Sequence, residues 1–263
     1  MRSGYQTMNK RYIYPQVRAT VGEAEWAQRV NLAASYRLLA HYRMTDLIYT
    51  HVSARVPGAS GEFLINPYGL MFDEITASSL VKVDHAGRVL LDATGIGFNP
   101  AGFVIHSCIH HARPGLHCVI HTHTAAGMGV AAQERGLLDI SQHAMRFHGA
   151  LSYHDYEGVA LDADEQPRLV ADLGEKNKAM VLRNHGLLTA GETVREAFDL
   201  MFYLERACQA QIAAQAGGAA LRECSSEVAR KVARQFTEPD GSELHDWPAL
   251  MRLLDRIDDS YRN

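Results

Sequence analysis

Apolar residues recur along this chain with two different periods, and the alternation between them predicts helices interleaved with strands. From Glu23 to about Tyr42 the apolar positions Trp26, Val30, Ala33, Ala34, Leu38 and Leu39 recur at helical spacing. Leu47–Val56 and Glu62–Asn66 read as strands separated by a Pro57-Gly58 turn. Leu80–Val83 and Arg88–Asp92 read as a hairpin about Asp84-His85-Ala86-Gly87. A helix from Gly102 to Arg113 is stopped by Pro114-Gly115, and an apolar strand then runs from Cys118 through Ile120. A short helix over Gln166–Lys176 precedes the run Ala179-Met180-Val181-Leu182, which resumes after a turn as Leu187-Leu188-Thr189. Thr193-Val194-Arg195-Glu196 fits a capping box and opens a long helix to about Gln215, ended by Gly217-Gly218.

Residues 1–22 read as an irregular aromatic arm carrying Tyr5, Tyr12 and Tyr14, packed on the surface or on a neighbouring subunit. Residues 23–217 form the expected α/β domain. Residues 218–263 form a charged helical extension, anchored by Trp247, Leu250, Leu253 and Leu254, in the same domain or at a subunit interface. Several strand pairs are joined by turns that only antiparallel neighbours can use. A mixed or mainly antiparallel sheet covered by helices is therefore expected, rather than a doubly wound parallel one.

The chemistry concentrates where strands end. In Cys118-Val119-Ile120-His121-Thr122-His123 the two histidines are one residue apart, and residues i and i+2 of a strand point to one face. Asn184-His185-Gly186 places a third histidine at another strand end, beside a glycine suited to a tight turn. Three neutral imidazoles suit zinc or another divalent first-row metal and leave coordination positions open. His106 and His110 lie four apart on the predicted helix and share a face, so a second pair of ligands is conceivable there.

The bulk properties remove several alternatives. With 263 residues, 47% hydrophobic and 21% charged, the chain has the composition of a soluble globular protein. A net charge of −4 gives no electrostatic footprint for nucleic acid or an anionic membrane, and no apolar run is long enough to span one. The start of the chain does not lead into a signal-peptide core. The cysteines (Cys108, Cys118, Cys208, Cys224) have neither metal-binding nor disulfide-scaffold spacing, which fits a reducing cytoplasm. There is no Gly-x-Ser-x-Gly elbow, and Gly95-Ile96-Gly97 lacks the third glycine of a dinucleotide fingerprint.

The order of these landmarks resembles the class II aldolase/adducin family over about residues 25–215. They are the Val52-Ser53-Ala54-Arg55 strand, a helix opening near Gly102, His121-x-His123, and Asn184-His185-Gly186 about sixty residues later, followed by Gly191. The resemblance implies a three-layer α/β/α sandwich about a mainly antiparallel sheet. It also implies a cyclic homotetramer with active sites at its interfaces, and His121, His123 and His185 as ligands of a divalent metal. Zinc is the first expectation for that metal, with iron(II), manganese or cobalt as the others. In the family's sugar-phosphate aldolases zinc polarises the substrate carbonyl and stabilises the enediolate left by bond cleavage.

Departures from the family pattern shape the expected chemistry. Asn99-Pro100-Ala101-Gly102 puts glycine where family aldolases carry a catalytic acid, a feature similar to the adducin-type branch. Thr50-His51 replaces the first phosphate-binding Gly-Asn, and the second phosphate loop reads Asn66-Pro67-Tyr68-Gly69. A non-phosphorylated substrate is therefore expected, with Thr50, His51, Asn66, Tyr68, Asn99 and Gly102 around it and Tyr68, Phe72 and Phe98 giving the pocket an apolar character. Arg146 and His148 are candidates for binding a substrate carboxylate at the pocket mouth. For proton transfer the candidates are His106, the cluster Tyr153-His154-Asp155-Tyr156-Glu157, and Tyr261, since family members often lend a tail tyrosine to a neighbouring site. The leading expectation is a metal-dependent carbon–carbon lyase, cleaving a small hydroxy- or oxo-acid by retro-aldol reaction or decarboxylation. A non-haem iron oxygenase of aromatic oxo-acids and a non-catalytic adducin-like interaction module are the alternatives.

Overall fold

The computed structural model describes residues 12–158, 163–237 and 243–263. Eight strands form one sheet: β1 (His51–Arg55), β2 (Glu62–Ile65), β3 (Val81–Asp84), β4 (Val89–Leu91), β5 (Cys118–Thr122), β6 (Leu151–His154), β7 (Ala179–Leu182) and β8 (Gly186–Gly191). Their order is β4-β3-β2-β1-β5-β8-β7-β6, and every neighbouring pair is antiparallel except β6 with β7. The helices are α1 (Pro15–Thr20), α2 (Glu23–His41), α3 (Pro100–Ala112), α4 (Ala125–Ala131), α5 (Gln142–Met145), α6 (Gln166–Leu173), α7 (Val194–Gln215), α8 (Ser226–Thr237) and α9 (Glu243–Ile257).

The period-2 pattern of the central strands sorts their side chains into two apolar layers. On β5, Cys118 and Ile120 join Leu32, Leu38 and Leu39 of α2 and Phe198, Met201 and Leu204 of α7 in the larger core. Val119 points the other way, into a second cluster with Ile105 and Ile109 of α3 and Leu169 and Leu173 of α6. The result is an α/β/α sandwich in which β5 and β8 are covered on both faces. This explains why they read as continuous apolar runs instead of alternating ones.

α2 opens with Glu23 and Glu25 in its first turn, where carboxylates suit the helix dipole. Its buried Arg29 donates to Glu25 (2.9 Å) and to the carbonyls of Ala77 (3.2 Å) and Leu80 (2.9 Å), tying the helix to the segment before β3. The Tyr36 hydroxyl meets the Val52 carbonyl at 2.5 Å and accepts from the Val52 and Asn66 amides at 2.7 and 3.2 Å. One phenol thus fixes the entry of β1 and the loop after β2. The tail is held as firmly, because Ala77 and Ser78 amides donate to the carbonyls of Tyr261 and Asn263 at 2.9 Å each.

Several local expectations need correction. Leu47–Thr50 is not strand, because Leu47 and Thr50 adopt φ of +50° and +65° and form a turn that delivers the chain to His51. The arm over the described residues 12–22 contains α1, with Pro15 at its first position, while Tyr5 lies outside the described residues. β6, α4 and α5 carry too few residues to show a period, and none of them was expected. Phe72 is core, its ring set edge-on to Tyr36 at 4.7 Å.

Candidate metal centre

Three elements bring the predicted histidines together. β5 presents His121 as its penultimate residue, His123 follows one residue past the strand end, and His185 sits in the turn joining β7 to β8. That turn closes through the His185 amide donating to the Leu182 carbonyl (3.1 Å), and Asn184, not the glycine, takes the left-handed conformation at φ +55°. Gly186 is required for a different reason. A Cβ there would lie 2.3 Å from the Thr122 carbonyl oxygen and 3.2 Å from the His123 ring. Only glycine lets β8 lie close enough for His185 to meet the pair on β5.

Nε2 of His123 is 2.8 Å from Nε2 of His121 and 2.9 Å from Nε2 of His185. The opposite ring nitrogens decide what these short separations mean. His121 Nδ1 lies 3.0 Å from the Leu187 carbonyl, which can only accept, so that nitrogen carries the proton. His123 Nδ1 lies 3.0 Å from the Asp46 carboxylate and donates to it. In neutral rings with these Nδ1 partners, the two Nε2 atoms face one another as lone pairs, an arrangement that costs energy until a cation lies between them. Tetrahedral zinc with bonds of about 2.05 Å would set its nitrogens about 3.3 Å apart, so the donors need move only by roughly half an ångström. Burial pushes His121 well below the ordinary imidazole range and His185 down to about 4, so both are neutral at pH 7 and suited to ligation. Among the described residues no other group of three histidine, cysteine or acidic side chains converges in this way.

A fourth imidazole joins this group. His51 is register-paired with His121 across β1 and β5, so the two share a face, with ring centroids 5.5 Å apart. Beyond it, His106 of α3 lies 4.4 Å from the His51 ring, its Nδ1 2.7 Å from Ser53 Oγ. His110 Nε2 approaches the same oxygen at 2.8 Å. The pair expected to share a helix face does so, but it meets a serine and not a ligand cluster. Tyr156, half-exposed, has its ring 5.9 Å from that of His185.

Other expected site residues have different neighbours. Thr50 is buried with its hydroxyl unpartnered. The Asn66 side chain meets Tyr36 (2.8 Å), so it serves the scaffold. Tyr68 packs toward Tyr49 at 6.2 Å, both aromatic rings of the outer loops. The Asn99 carbonyl accepts from the Phe103 amide (3.2 Å) at the start of α3, which opens at Pro100, two residues earlier than expected. Gly102 faces His51. Arg146 is ion-paired with Asp199 of α7 and covered by the Tyr203 ring, and His148 binds Asp139 at 2.7 Å; neither contacts the three histidines. His154 is clamped between Asp172 (2.7 Å) and Glu165 (3.3 Å), a structural pairing. Tyr261 departs most from expectation: it is fully buried within its own chain, its hydroxyl donating to Asp255 at 2.8 Å. His51 was expected as a phosphate-loop replacement; its pairing opposite His121 could have been found only from the strand register.

Residues 30–212 match the family model for the class II aldolase and adducin N-terminal domain. The chain belongs to the class II aldolase/adducin family. A crystal structure of an aldolase II superfamily protein from Pseudomonas syringae is 54% identical, covers 94% of this chain and 99% of its own, and superposes with a TM-score of 0.90. L-fuculose 1-phosphate aldolase from Glaciozyma antarctica is 26% identical with a TM-score of 0.81, over 99% of this chain and 100% of that one. Rat alpha-adducin is 45% identical over 193 residues, which are 72% of this chain but 26% of adducin. The family and fold expected from the order of motifs are thereby established. No helix among the described residues is long and apolar enough to cross a membrane.

Proposed function

We propose that this chain is a divalent-metal-dependent carbon–carbon lyase that cleaves a small, non-phosphorylated hydroxy- or oxo-acid by retro-aldol reaction or decarboxylation. His121, His123 and His185 would hold the metal, zinc in the first instance, which would supply Lewis acidity to a bound substrate oxygen. The observation that carries this reading is the approach of two Nε2 atoms to 2.8 Å, with each ring's Nδ1 facing an acceptor on its other side. A divalent cation there supplies Lewis acidity, absorbing the negative charge that develops on a substrate oxygen without a proton transfer. The chain's own residues do the rest. Asp46 and the Leu187 carbonyl orient two imidazoles, the buried β5–β8 floor excludes water, and His106 is the proton-transfer candidate beside the site. Tyr156 stands over His185 at the open side.

A non-phosphorylated substrate follows from the loops. Where the first phosphate loop is expected, the buried Thr50 and His51 stand in place of a glycine and an asparagine, and the Asn66 side chain is engaged by Tyr36. Oligomeric assembly fits the exposed Leu47 and Tyr49 beside the buried Thr50 and His51, and we place the active sites at the interfaces of a homotetramer in the cytoplasm. The test is a panel of hydroxy- and oxo-acids incubated with zinc-loaded protein and followed by release of aldehyde, ketone or carbon dioxide. Cleavage that disappears in His123→Ala supports the lyase; no cleavage by protein with full metal occupancy refutes it.

A second reading has its own support. Identity to alpha-adducin (45%) exceeds identity to the fuculose phosphate aldolase (26%), which favours a protein-interaction module. The fully formed triad argues for the enzyme, because four imidazoles packed together are costly in a module with no use for them.

A further inference from the structure

Gly102 and His51 are interlocked. A Cβ on residue 102 would lie 1.5 Å from His51 Cδ2 and 1.9 Å from its Nε2. The imidazole therefore occupies the volume that any side chain at 102 would need. Because Gly102 is in the first turn of α3 and His51 is opposite His121, that volume is part of the wall of the metal centre.

His51 is backed by a chain of hydrogen bonds with a defined direction. The Leu116 carbonyl can only accept, so His110 Nδ1, 3.3 Å away, donates to it. His110 Nε2 is then the acceptor and takes the Ser53 hydroxyl proton (2.8 Å). Ser53 Oγ in turn accepts from His106 Nδ1 (2.7 Å), which leaves His106 Nε2 as a bare lone pair. His106 Nε2, His51 Nδ1 and Thr50 Oγ1 are all buried and all unpartnered, and each belongs to a side chain at least nine-tenths buried. Beside the candidate metal centre, His51 Nδ1 and Thr50 Oγ1 can each donate to a ligand oxygen, whereas His106 Nε2 can only accept, from a ligand hydroxyl. No carboxylate has a hydrogen bond to any of the three rings among the described residues.

We propose that positions 51 and 102 act as a coupled pair that sets an imidazole, instead of a carboxylate, against the substrate, making His51 a substrate-orienting residue that selects for substrates carrying a carboxylate of their own. A carboxylate side chain at this place would repel such a substrate by several-fold to tens of fold in affinity. An imidazole can donate to a carboxylate or accept from a hydroxyl, so it suits a hydroxy- or oxo-acid chelated through two oxygens. This selection rests on the proposed metal-dependent reading; the interlock itself does not.

Two measurements separate the parts. The first uses metal-free protein. Gly102→Glu should lower the melting temperature by more than about 5 °C. His51→Gly/Gly102→Glu should recover most of that loss. Equal melting of the single and double variants would overturn the interlock. The second measures the affinity of oxalate for cobalt-loaded protein, with the cobalt absorption spectrum as readout. His51→Ala should weaken oxalate at least tenfold while changing cobalt affinity less than threefold, and the double variant should weaken oxalate further. Unchanged oxalate affinity in His51→Ala would overturn the orienting role. Failure of the unsubstituted protein to bind cobalt would overturn the metal-dependent reading, with the melting comparison still deciding the interlock.

Discussion

Acid should unfold the metal-free protein steeply, and the slope can be worked from the burial of its histidines. His51, His106, His110, His121 and His185 are all held below the ordinary imidazole value of 6.5, chiefly by burial, with His110 pushed down to about 3 and His185 to about 4. The folded state therefore binds almost no proton at these five sites at pH 5.5. The unfolded chain, with ordinary imidazoles, binds about nine-tenths of a proton at each, or roughly 4.5 in all. Because the unfolded state binds more protons, stability is complete above the unfolded value and is lost as pH falls below it. The slope near pH 5.5 is about 6 kcal/mol per pH unit, and the accumulated loss by pH 5 is on the order of 10 kcal/mol. That is comparable to the whole stability of a typical domain. Urea unfolding of metal-free protein, followed by the fluorescence of Trp26 and Trp247 at half-unit steps from pH 7.5 to 5, measures this directly. A slope below about 2 kcal/mol per pH unit would mean that fewer than two of these imidazoles are kept neutral, and the account of the buried cluster would fail.

Three further outcomes follow from individual contacts. Asp46→Asn removes the carboxylate that orients His123 at 3.0 Å and should weaken zinc binding about tenfold in a chelator competition; unchanged affinity would mean that Asp46 does not set the ring. Tyr36→Phe leaves the Val52 and Asn66 amides without their buried acceptor and should cost about 2–4 kcal/mol in urea unfolding, whereas a loss under about 1 kcal/mol would show that the strand relaxes around the change. Gly186→Ala forces a methyl to 2.3 Å from the Thr122 carbonyl and should cost about 1–3 kcal/mol as well as metal affinity, because β5 and β8 must separate at His123; loss of stability with intact metal affinity would contradict that coupling.

What could be read from the chain and what could not divide along physical lines. The apolar runs of β5, β7 and β8 and the helices α2 and α7 are long or strongly periodic, and their positions follow from the pattern alone. The i, i+2 spacing of His121 and His123 is itself a geometric statement, so their meeting was legible. His185 joins them by a route the sequence concealed, since it depends on how closely β8 approaches the Thr122 carbonyl. The partnership of His51 with Gly102 was hidden more deeply. It requires the β1–β5 register and the seating of α3 on the sheet, neither of which has a local signature. β6 is short and its parallel pairing with β7 is non-local, which is why Tyr153–Glu157 read as a cluster of catalytic candidates when three of its members, Tyr153, His154 and Glu157, bond to scaffold groups. Tyr261 is buried with its hydroxyl donating to Asp255 of α9, a packing that no periodicity in the tail announces.

The most direct test of the central claim, that His121, His123 and His185 form a divalent-metal centre, is elemental analysis of protein purified without added metal, beside a His121→Ala/His185→Ala control. The account predicts close to one zinc, or another divalent first-row metal, per chain, and none in the control. Protein that stays metal-free after reconstitution with zinc, manganese, cobalt and iron(II), or a control that keeps its metal, would contradict it.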